Sequence, residues 1–336
     1  MAKTINETVK TKNLPRVLVI VGPTSSGKTA LSLKAARLHQ GEIINADARQ
    51  IYKGCSIGTG KPPGRKGKYQ GFNAYFVKAP HMHELEEQDE KELKEVEIPH
   101  YLMDFLLPTE IMSVSEWREK AYTAIKGIAH RGHLPIVVGG TGLYLDALVE
   151  NFSIPKVPPN PNMRMSYEKQ PLKKLVDLLL KMDPSAGVSV DLKNQRRVIR
   201  ALEIITFTGQ PINKLRTKKP PIIEAFKIGI KRSREEIKRR IDESIDRMME
   251  EGWPEEVRKL HKSGLPWDAP AMTSIGYKQI ASYLRGEIML NEAVKLAKIA
   301  THQYAKRQET WFKRDPKIHW VKDDEQGLEL IKQWMD

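Results

Sequence analysis

Residues 22–29 read GPTSSGKT, which matches the spacing G-x-x-x-x-G-K-[ST] of a phosphate-binding loop. The apolar run at residues 17–21 precedes this motif, and a stretch suited to a helix, residues 29–38, follows it. In a strand, loop and helix arranged in this order, backbone N–H groups and the helix N-terminus converge on an anion. The sequence therefore predicts an α/β core whose loop binds a di- or triphosphate.

The loop also carries two side chains with a chemical role. Lys28 adds a positive charge, and the hydroxyl of Thr29 is the expected ligand of Mg²⁺, an ion that takes few protein ligands and shares the phosphate oxygens. Mg²⁺ is therefore the expected cofactor. The predicted phosphate-binding residues of the loop are Gly22, Pro23, Thr24, Ser25, Ser26, Gly27, Lys28 and Thr29.

The chain of 336 residues has a formal net charge of +14, which points to a polyanionic partner such as nucleic acid. The alternative explanation of this net charge is that basic residues are spread evenly over the surface and serve solubility. A single cysteine, Cys55, excludes an internal disulfide or a cysteine-rich zinc module. No apolar run is long enough to span a membrane, and residues 1–16 lack the apolar stretch of a secretory signal. We therefore expect a cytoplasmic protein that does not bind membranes.

Two further strands are predicted to end near the loop. Residues 42–46 form a short strand that ends at Asp47, and residues 134–138 form a nearly all-apolar strand that leads to Thr141. Between them, residues 113–131 have helical spacing and begin with a capping box. Ligands of doubly wound parallel sheets bind beyond the carboxyl ends of the strands. The loop, Asp47 and Thr141 should therefore meet at one site.

The organisation along the chain follows from shifts in composition. Residues 1–150 are predicted to form a P-loop NTPase-like α/β core with a doubly wound parallel sheet and an excursion at about 61–97, whose role the sequence leaves open. Prolines interrupt regular structure next, and residues 151–215 are predicted as an inserted helical lid. Residues 216–336 are predicted to return to the core and to end in a helical part that binds RNA.

Basic residues cluster in three segments. On the second predicted lid helix, Arg196 and Arg200 lie on one face at i, i+4, although a solvated basic face would have the same pattern. Arg234 follows a predicted strand at a helix N-terminus, which suits anion binding. The longest predicted helix, residues 291–314, interleaves cations with aromatic residues. Looped RNA requires such a surface, although these aromatics can also pack in a core.

Seven strings of the chain, taken in order, resemble the tRNA dimethylallyltransferase (tRNA isopentenyltransferase) family of bacterial type. The resemblance covers nearly the whole chain. Each string alone is a weak signal, whereas the ordered set is highly specific. The strings are GPTSSGKT at 22–29, DARQIYKG at 47–54, IGTGKP at 57–62, PHYLMD at 99–104, GGTGLY at 139–144, RALE at 200–203 and YAKRQETW at 304–311.

The resemblance implies transfer of a dimethylallyl group from dimethylallyl diphosphate to N6 of the adenosine directly 3′ of the anticodon in tRNA, with release of diphosphate. Lys28 and Arg234 would stabilise the charge of this leaving group. Asp47 would take the proton of the amine, and Thr141 would orient the amine. We expect a monomer that binds the anticodon stem-loop. Residues matching family stretches that contact tRNA are Asp47, Ala48, Arg49, Gln50, Thr141, Arg196, Arg197, Arg200, Tyr277, Lys306, Arg307 and Gln308.

Two residues depart from the family pattern, since Ala48 stands where serine is common and Arg196 where glutamine is usual. Asp104 is a second candidate for the base or a metal ligand, and the alternative role of Asp47 is to support Mg²⁺ as in nucleotide kinases. Three other functions stay open: a small-molecule or nucleotide kinase, a prenyltransferase acting on AMP or ADP, and a non-catalytic RNA-binding protein. The basic C-terminal third argues against the first two, and the complete phosphate loop argues against the third.

Overall fold

The computed structural model of the protein describes residues 14–80, 96–153, 155, 157–215 and 217–336. The chain forms two compact units. The first, the core unit, consists of the chain up to Leu145 together with Ile222–Asp336. The second, the inserted unit, is Asp146–Pro221, a range that contains the segment 151–215.

The core unit is built around one sheet, which has eight strands among the described residues. These are β1 (Arg16–Val21), β2 (Gly41–Asn45), β3 (Gly64–Tyr69), β4 (Phe72–Lys78), β5 (Glu97–Tyr101), β6 (Leu134–Gly139), β7 (Glu224–Ile230) and β8 (Ile318–Val321). Their order across the sheet is β3-β4-β5-β2-β6-β1-β7-β8. From β5 to β8 each strand is parallel to its neighbour, whereas β3 and β4 pair antiparallel. The mostly parallel sheet confirms the predicted α/β class.

The central strands are buried: β1 and β6 are almost entirely apolar, and β2 also buries the polar residues Glu42 and Asn45. Every residue of β2 and β6 is buried, and so is all of β1 except its first residue. A parallel strand covered on both faces requires such a continuous run. In the register of the sheet, Val21 pairs with Gly139 and Asn45 with Val138. The segments that follow these three strands therefore lie together at one edge.

Part of the predicted excursion at 61–97 belongs to the sheet. β3 and β4 form a hairpin, and β4 pairs with β5. β3 is an edge strand and carries the exposed cations Arg65, Lys66 and Lys68, side chains of the kind that discourage pairing with another chain. The remainder of the excursion, residues 81–95, lies outside the described residues.

The helices alternate with these strands and then dominate the C-terminal third. The predicted capping box begins α2, where Ser113 Oγ accepts from the Glu116 amide at 3.2 Å and the Glu116 carboxylate accepts from the Ser113 amide at 2.8 Å. Within the described ranges, no helix has the length and apolarity needed to cross a membrane. In chain order the helices are α1 (Lys28–Leu38), α2 (Val114–His130), α3 (Gly142–Val149), α4 (Pro161–Glu168), α5 (Leu172–Met182), α6 (Ala186–Ser189), α7 (Gln195–Thr208), α8 (Ile212–Leu215), α9 (Arg234–Glu250), α10 (Trp253–Lys262), α11 (Tyr277–Leu284), α12 (Leu290–Phe312) and α13 (Asp324–Met335).

The inserted unit is held by an apolar cluster and by one buried carboxylate. Leucine, isoleucine and valine side chains of α5 and α7 form the cluster. The Glu203 side chain, 2% exposed, accepts two hydrogen bonds from Arg164 at 2.9 and 2.8 Å, one from the Asn160 amide at 2.6 Å, and one from Arg200. Burial alone would raise the pKa of Glu203, but these hydrogen bonds outweigh it and hold the pKa at about 2.

Glu203→Gln should destabilise the inserted unit by about 3 kcal/mol at neutral pH, because it leaves Arg164 and Arg200 beside a neutral amide. Since the folded pKa lies below the unfolded value near 4.5, the stabilisation is present above that value and is lost as pH falls toward about 2. Urea unfolding at pH 7 and pH 3 measures this, and the gap between variant and wild type should narrow at pH 3. Glu168→Gln, at an exposed position of α4, is the control. Equal losses in both variants would contradict the prediction.

Candidate functional site

The phosphate loop adopts backbone conformations that its glycines permit. Gly22 has φ +151°, and a Cβ there would meet Ser26 Oγ at 2.8 Å, while Gly27 has φ +107°. Within the described part of the chain, no side chain caps the first turn of α1. The hydroxyl of Ser26 is buried and has no hydrogen-bond partner among the described residues. The loop thus presents unused amide and hydroxyl donors, which is the arrangement that an anion requires.

Two cations flank this loop. Lys28 Nζ donates to the carbonyl oxygen of Pro23 at 2.6 Å. Burial lowers the pKa of Lys28 to about 8, although the nearby charge of Asp47 opposes this shift. Arg232, which follows β7, donates through Nε to the carbonyl oxygen of Ser26 at 3.4 Å. The loop therefore has a positive charge on either side of its donors.

Asp47 lies just beyond β2 in a turn that fixes one of its carboxylate oxygens. Oδ1 accepts from the amides of Arg49 at 2.8 Å and Gln50 at 3.4 Å. The side chain of Asn45 supports the turn, since it accepts from the Asp47 amide and donates to the Asp47 carbonyl, both at 3.2 Å. None of the described residues donates a hydrogen bond to Oδ2. That oxygen is available to accept a proton.

Thr141 lies opposite this turn, just beyond β6. Its amide donates to the Ala46 carbonyl at 3.1 Å, and its hydroxyl oxygen accepts from the Ala48 amide at 3.0 Å. The side chain of Tyr304, on α12, lies near Thr141 and Asp47. Burial raises the pKa of Tyr304 to about 12, and the charge of Asp47 acts in the same direction. The bond to Ala48 is made by the backbone, so the missing serine hydroxyl at this position is not needed for it.

Gln308 joins the phosphate loop to the end of β6 from inside the protein. Its Oε1 accepts from the Thr24 amide and its Nε2 donates to the Gly140 carbonyl, each at 2.9 Å. The residue is 5% exposed. Gln308 thus positions the phosphate loop against the end of β6, and it also lines a cavity there. The contact with tRNA stays a prediction for this residue.

The loop, Asp47 and Thr141 line one cavity of about 990 Å³ in the core unit. Gln50, Tyr304 and the phosphate-loop residues from Thr24 to Thr29 also line it. Five arginines contribute to its wall, and four of them are exposed to solvent, which makes the mouth strongly basic. These arginines are Arg49, Arg239, Arg240, Arg247 and Arg307, of which Arg240 is half-buried.

Arg234 and Lys306 face a second, smaller cavity of about 390 Å³. Pro23 of the phosphate loop and Arg232 also line it. The Arg234 side chain is 70% exposed, and its Nε lies 3.9 Å from a carboxylate oxygen of Glu309. Arg232, two residues earlier, is thus the arginine that contacts the loop in this structure, and Arg234 is not in the larger cavity.

The remaining predicted residues differ in their exposure. Tyr277 is fully buried and its hydroxyl donates to Glu256 at 2.6 Å, so it belongs to the core and not to an RNA-facing surface. In the inserted unit, Arg196 and Arg197 are exposed on α7. Arg200 instead donates to the Val157 carbonyl at 2.9 Å and pairs with Glu203.

Asp104, the second candidate for the base, is a structural residue. It forms ion pairs with Lys61 and Lys66 and accepts from the Gly54 amide at 3.3 Å. Burial would raise the pKa of Asp104, but the hydrogen bonds from the two lysines outweigh it and lower the pKa. Its oxygens are therefore engaged, and it does not line the larger cavity.

Several site residues escape sequence reasoning. Arg232 stands two residues before the predicted Arg234, and the pairing of β7 with β1 brings it to the loop. Arg239, Arg240 and Arg247 lie on α9, where lysine, arginine and glutamate alternate as on any solvated helix. In the sequence, only the spacing of these arginines along one face of α9 indicates that they act together.

The fold and the site define a P-loop α/β protein in which an anion-binding loop shares a cavity with a carboxylate and a hydroxyl. The family model described as IPP transferase matches residues 87–315, and the model described as isopentenyl transferase matches residues 15–84. The chain belongs to the tRNA dimethylallyltransferase family, as the sequence resemblance indicates.

Relatives and solved structures agree with this assignment. The tRNA dimethylallyltransferase of Dehalococcoides mccartyi is 39% identical over 323 residues, covering 95% of this chain and 91% of the relative. That of Acetivibrio thermocellus is 39% identical over 319 residues, with 93% of each covered. The crystal structure of the tRNA isopentenylpyrophosphate transferase from Bacillus halodurans superposes with a TM-score of 0.64 at 32% identity, covering 96% of this chain and 95% of the other.

Proposed function

We propose that this protein transfers the dimethylallyl group of dimethylallyl diphosphate to N6 of the adenosine directly 3′ of the anticodon in tRNA, and releases diphosphate. One observation carries the proposal: a single cavity is lined by an anion-binding loop and by a carboxylate with an unused oxygen. The first feature suits a diphosphate leaving group, and the second suits an amine that must lose a proton. The cytoplasmic location and the monomeric state stay predictions.

The leaving-group half of the reaction is assigned to the phosphate loop. As the allylic C–O bond breaks, negative charge grows on the diphosphate, and donors fixed in advance around it lower the barrier. The loop amides, Ser26 and Lys28 are such donors, and Arg232, which lines the smaller cavity, adds positive charge beside the loop. The exposed hydroxyl of Thr29 lines the cavity in the first turn of α1 and is an oxygen donor that suits Mg²⁺, which would neutralise further charge on the diphosphate oxygens.

The acceptor half is assigned to Asp47 and Thr141. The N6 nitrogen attacks the allylic carbon, the bond from that carbon to the diphosphate oxygen breaks, and the N6 proton passes to Oδ2 of Asp47. Thr141, held by the Ala48 amide, presents its hydroxyl beside this carboxylate to orient the amine. An adenine reaches such a buried site only when it leaves its stack, as enzymes acting on bases require.

The basic mouth of the cavity fits an RNA substrate better than a mononucleotide. Arg49, Arg239, Arg247 and Arg307 surround it and are exposed. Phosphates flanking a flipped base need such charges, and a mononucleotide has no flanking phosphates. This surface favours the anticodon loop as the acceptor over free AMP or ADP.

Replacing Lys306 and Arg307 by alanine should raise the KM for tRNA and flatten its dependence on salt, because each lost phosphate contact reduces the slope by about one. Both cations are exposed on α12, where Lys306 lines the smaller cavity and Arg307 lines the larger one. Lys295→Ala, on the same helix about 18 Å away, is the control. Initial rates at several salt concentrations measure the slope, and an unchanged slope in the double variant would contradict an RNA-facing role.

A transfer assay with labelled dimethylallyl diphosphate and Mg²⁺ tests the proposed function. Unmodified tRNA, AMP and ADP are offered in parallel, and ATP hydrolysis is measured alongside. Label in tRNA alone supports the proposal. Label in AMP or ADP alone keeps the chemistry but changes the acceptor, and ATP turnover without transfer would replace the proposal by a kinase activity.

A further inference from the structure

Glu256, in the first turn of α10, binds three consecutive backbone amides of the segment that follows Asp47 in the chain. Its Oε2 accepts from the amides of Ser56 and Ile57, both at 2.8 Å, and its Oε1 accepts from the amide of Gly58 at 3.3 Å. Oε1 also accepts from the hydroxyl of Tyr277 at 2.6 Å. One carboxylate thus satisfies four donors, and such charge-assisted bonds are stronger than neutral ones.

The segment held by Glu256 is packed against α10 with no spare room. A Cβ at Gly58 would lie 1.9 Å from Nε1 of Trp253, so only glycine fits. Trp253 is 2% exposed and stands edge-on to Tyr277 with ring centroids 5.9 Å apart. Amides 56–58 are therefore fixed by both hydrogen bonds and packing.

The next two residues of this segment fix the side chain of Gln50. Both hydrogen bonds of Gln50 Nε2 go to backbone carbonyls, to Thr59 at 3.3 Å and to Gly60 at 3.1 Å. Gln50 lines the larger cavity three residues after Asp47, whereas Glu256 does not line it. Because both protons of the amide group point into the protein, its Oε1 is left as a hydrogen-bond acceptor.

We propose that Glu256 is a positioning residue that acts through amides 56–58 and the carbonyls of Thr59 and Gly60 to hold Gln50 as an acceptor for an N–H group of the RNA substrate. The inference rests on the proposed function for the identity of the substrate. Without the carboxylate, the two carbonyls move away from Gln50. Its amide group is then free to rotate, and the RNA loses a fixed partner.

Glu256→Gln should weaken binding of an anticodon stem-loop RNA roughly tenfold, the size of one lost hydrogen bond to a fixed group. The KM for dimethylallyl diphosphate and kcat at saturating RNA should change less than about threefold, since the phosphate loop and Asp47 are untouched. Filter binding with labelled RNA and initial rates give these values. The matched control is Glu255→Gln, the neighbouring glutamate, which pairs with Arg258 instead.

A double-mutant cycle with Gln50→Ala separates this mechanism from general loosening. If Glu256 acts through Gln50, the double variant binds RNA about as weakly as either single variant. Additive losses, unchanged RNA binding in Glu256→Gln, or a parallel rise in the KM for dimethylallyl diphosphate would each overturn the proposal. If Glu256→Gln does not fold, Glu256→Asp, which keeps the charge but shortens the reach of the carboxylate to amides 56–58, takes its place in the cycle. RNA binding is measured without turnover, so failure of the prenyl transfer itself is seen separately.

Discussion

Asp47→Asn is expected to lower kcat for prenyl transfer by about 10² to 10⁴, the range that a general base contributes, and to leave tRNA binding within a few-fold of wild type. Asparagine keeps the Oδ1 acceptor that the amides of Arg49 and Gln50 use, so the turn after β2 is preserved. What changes is the other oxygen, which becomes an amide group that cannot take a proton from N6. Single-turnover rates at saturating substrates measure the effect.

A second variant controls for the loss of one negative charge. Asp268→Asn removes one negative charge from an exposed position outside the cavity and should leave kcat unchanged. If the Asp47 variant retained turnover within a few-fold, Asp47 would not be the base. Loss of tRNA binding together with turnover would instead assign Asp47 to substrate binding.

Lys28→Met is expected to lower kcat/KM for dimethylallyl diphosphate by at least about 10², comparable to the removal of one donor from a site of charge development. Methionine keeps the length and apolar stem of lysine, so the packing of α1 changes little. Lys34→Met on the same helix, which breaks only the 2.8 Å pair with Asp324 on α13, is the matched control. Its kcat/KM should stay within about threefold of wild type, as expected for a surface pair.

The pKa of Lys28 adds a pH signature to this prediction. Because burial lowers that pKa to about 8, the ammonium is present below pH 8 and is lost above it. In the wild type, kcat/KM for the diphosphate should therefore fall as pH rises through about 8, since this parameter reports the free enzyme. The Lys28 variant should lack this limb. If kcat/KM of the variant fell by the same amount through this pH range, the fall would belong to another titrating group.

The sequence predicts those parts of the site that depend on residues close together in the chain. The strands before the phosphate loop, before Asp47 and before Thr141 are each short segments that contain consecutive apolar residues, and glycine or polar residues follow them. Parallel packing then brings the three ends together at one edge of the sheet, which the order of elements already implies. The capping box of α2 is local in the same way.

The parts of the site that the sequence does not predict depend on hydrogen bonds between residues far apart in the chain. Gln308 lies 168 residues from the Gly140 carbonyl that it binds, and Glu256 lies 200 residues from the Ser56 amide. A motif reveals the residue type at such positions but not the atoms that it meets. The family pattern predicts a tRNA contact for Tyr277, for example, and the fold buries that side chain in the core unit.

In the inserted unit, too, the sequence pattern does not reveal which atoms a residue contacts. The spacing of Arg196 and Arg200 at i, i+4 predicts a shared basic face, and helical geometry alone supports it. The buried carboxylate of Glu203, three residues after Arg200, draws that arginine into the unit. A glutamate within an otherwise apolar helix face was the available sign that one arginine has an internal partner.

The central claim is that the phosphate loop and Asp47 serve one reaction in one cavity. The most direct test measures diphosphate released and dimethylallyl groups gained by tRNA in the same reaction, with mass spectrometry of the RNA fragments to locate the modified nucleoside. We predict equal amounts of the two products and one modified adenosine, directly 3′ of the anticodon, with neither product formed above background when guanosine replaces that adenosine. Release of diphosphate without gain by the tRNA, or modification elsewhere in the RNA, would contradict the account.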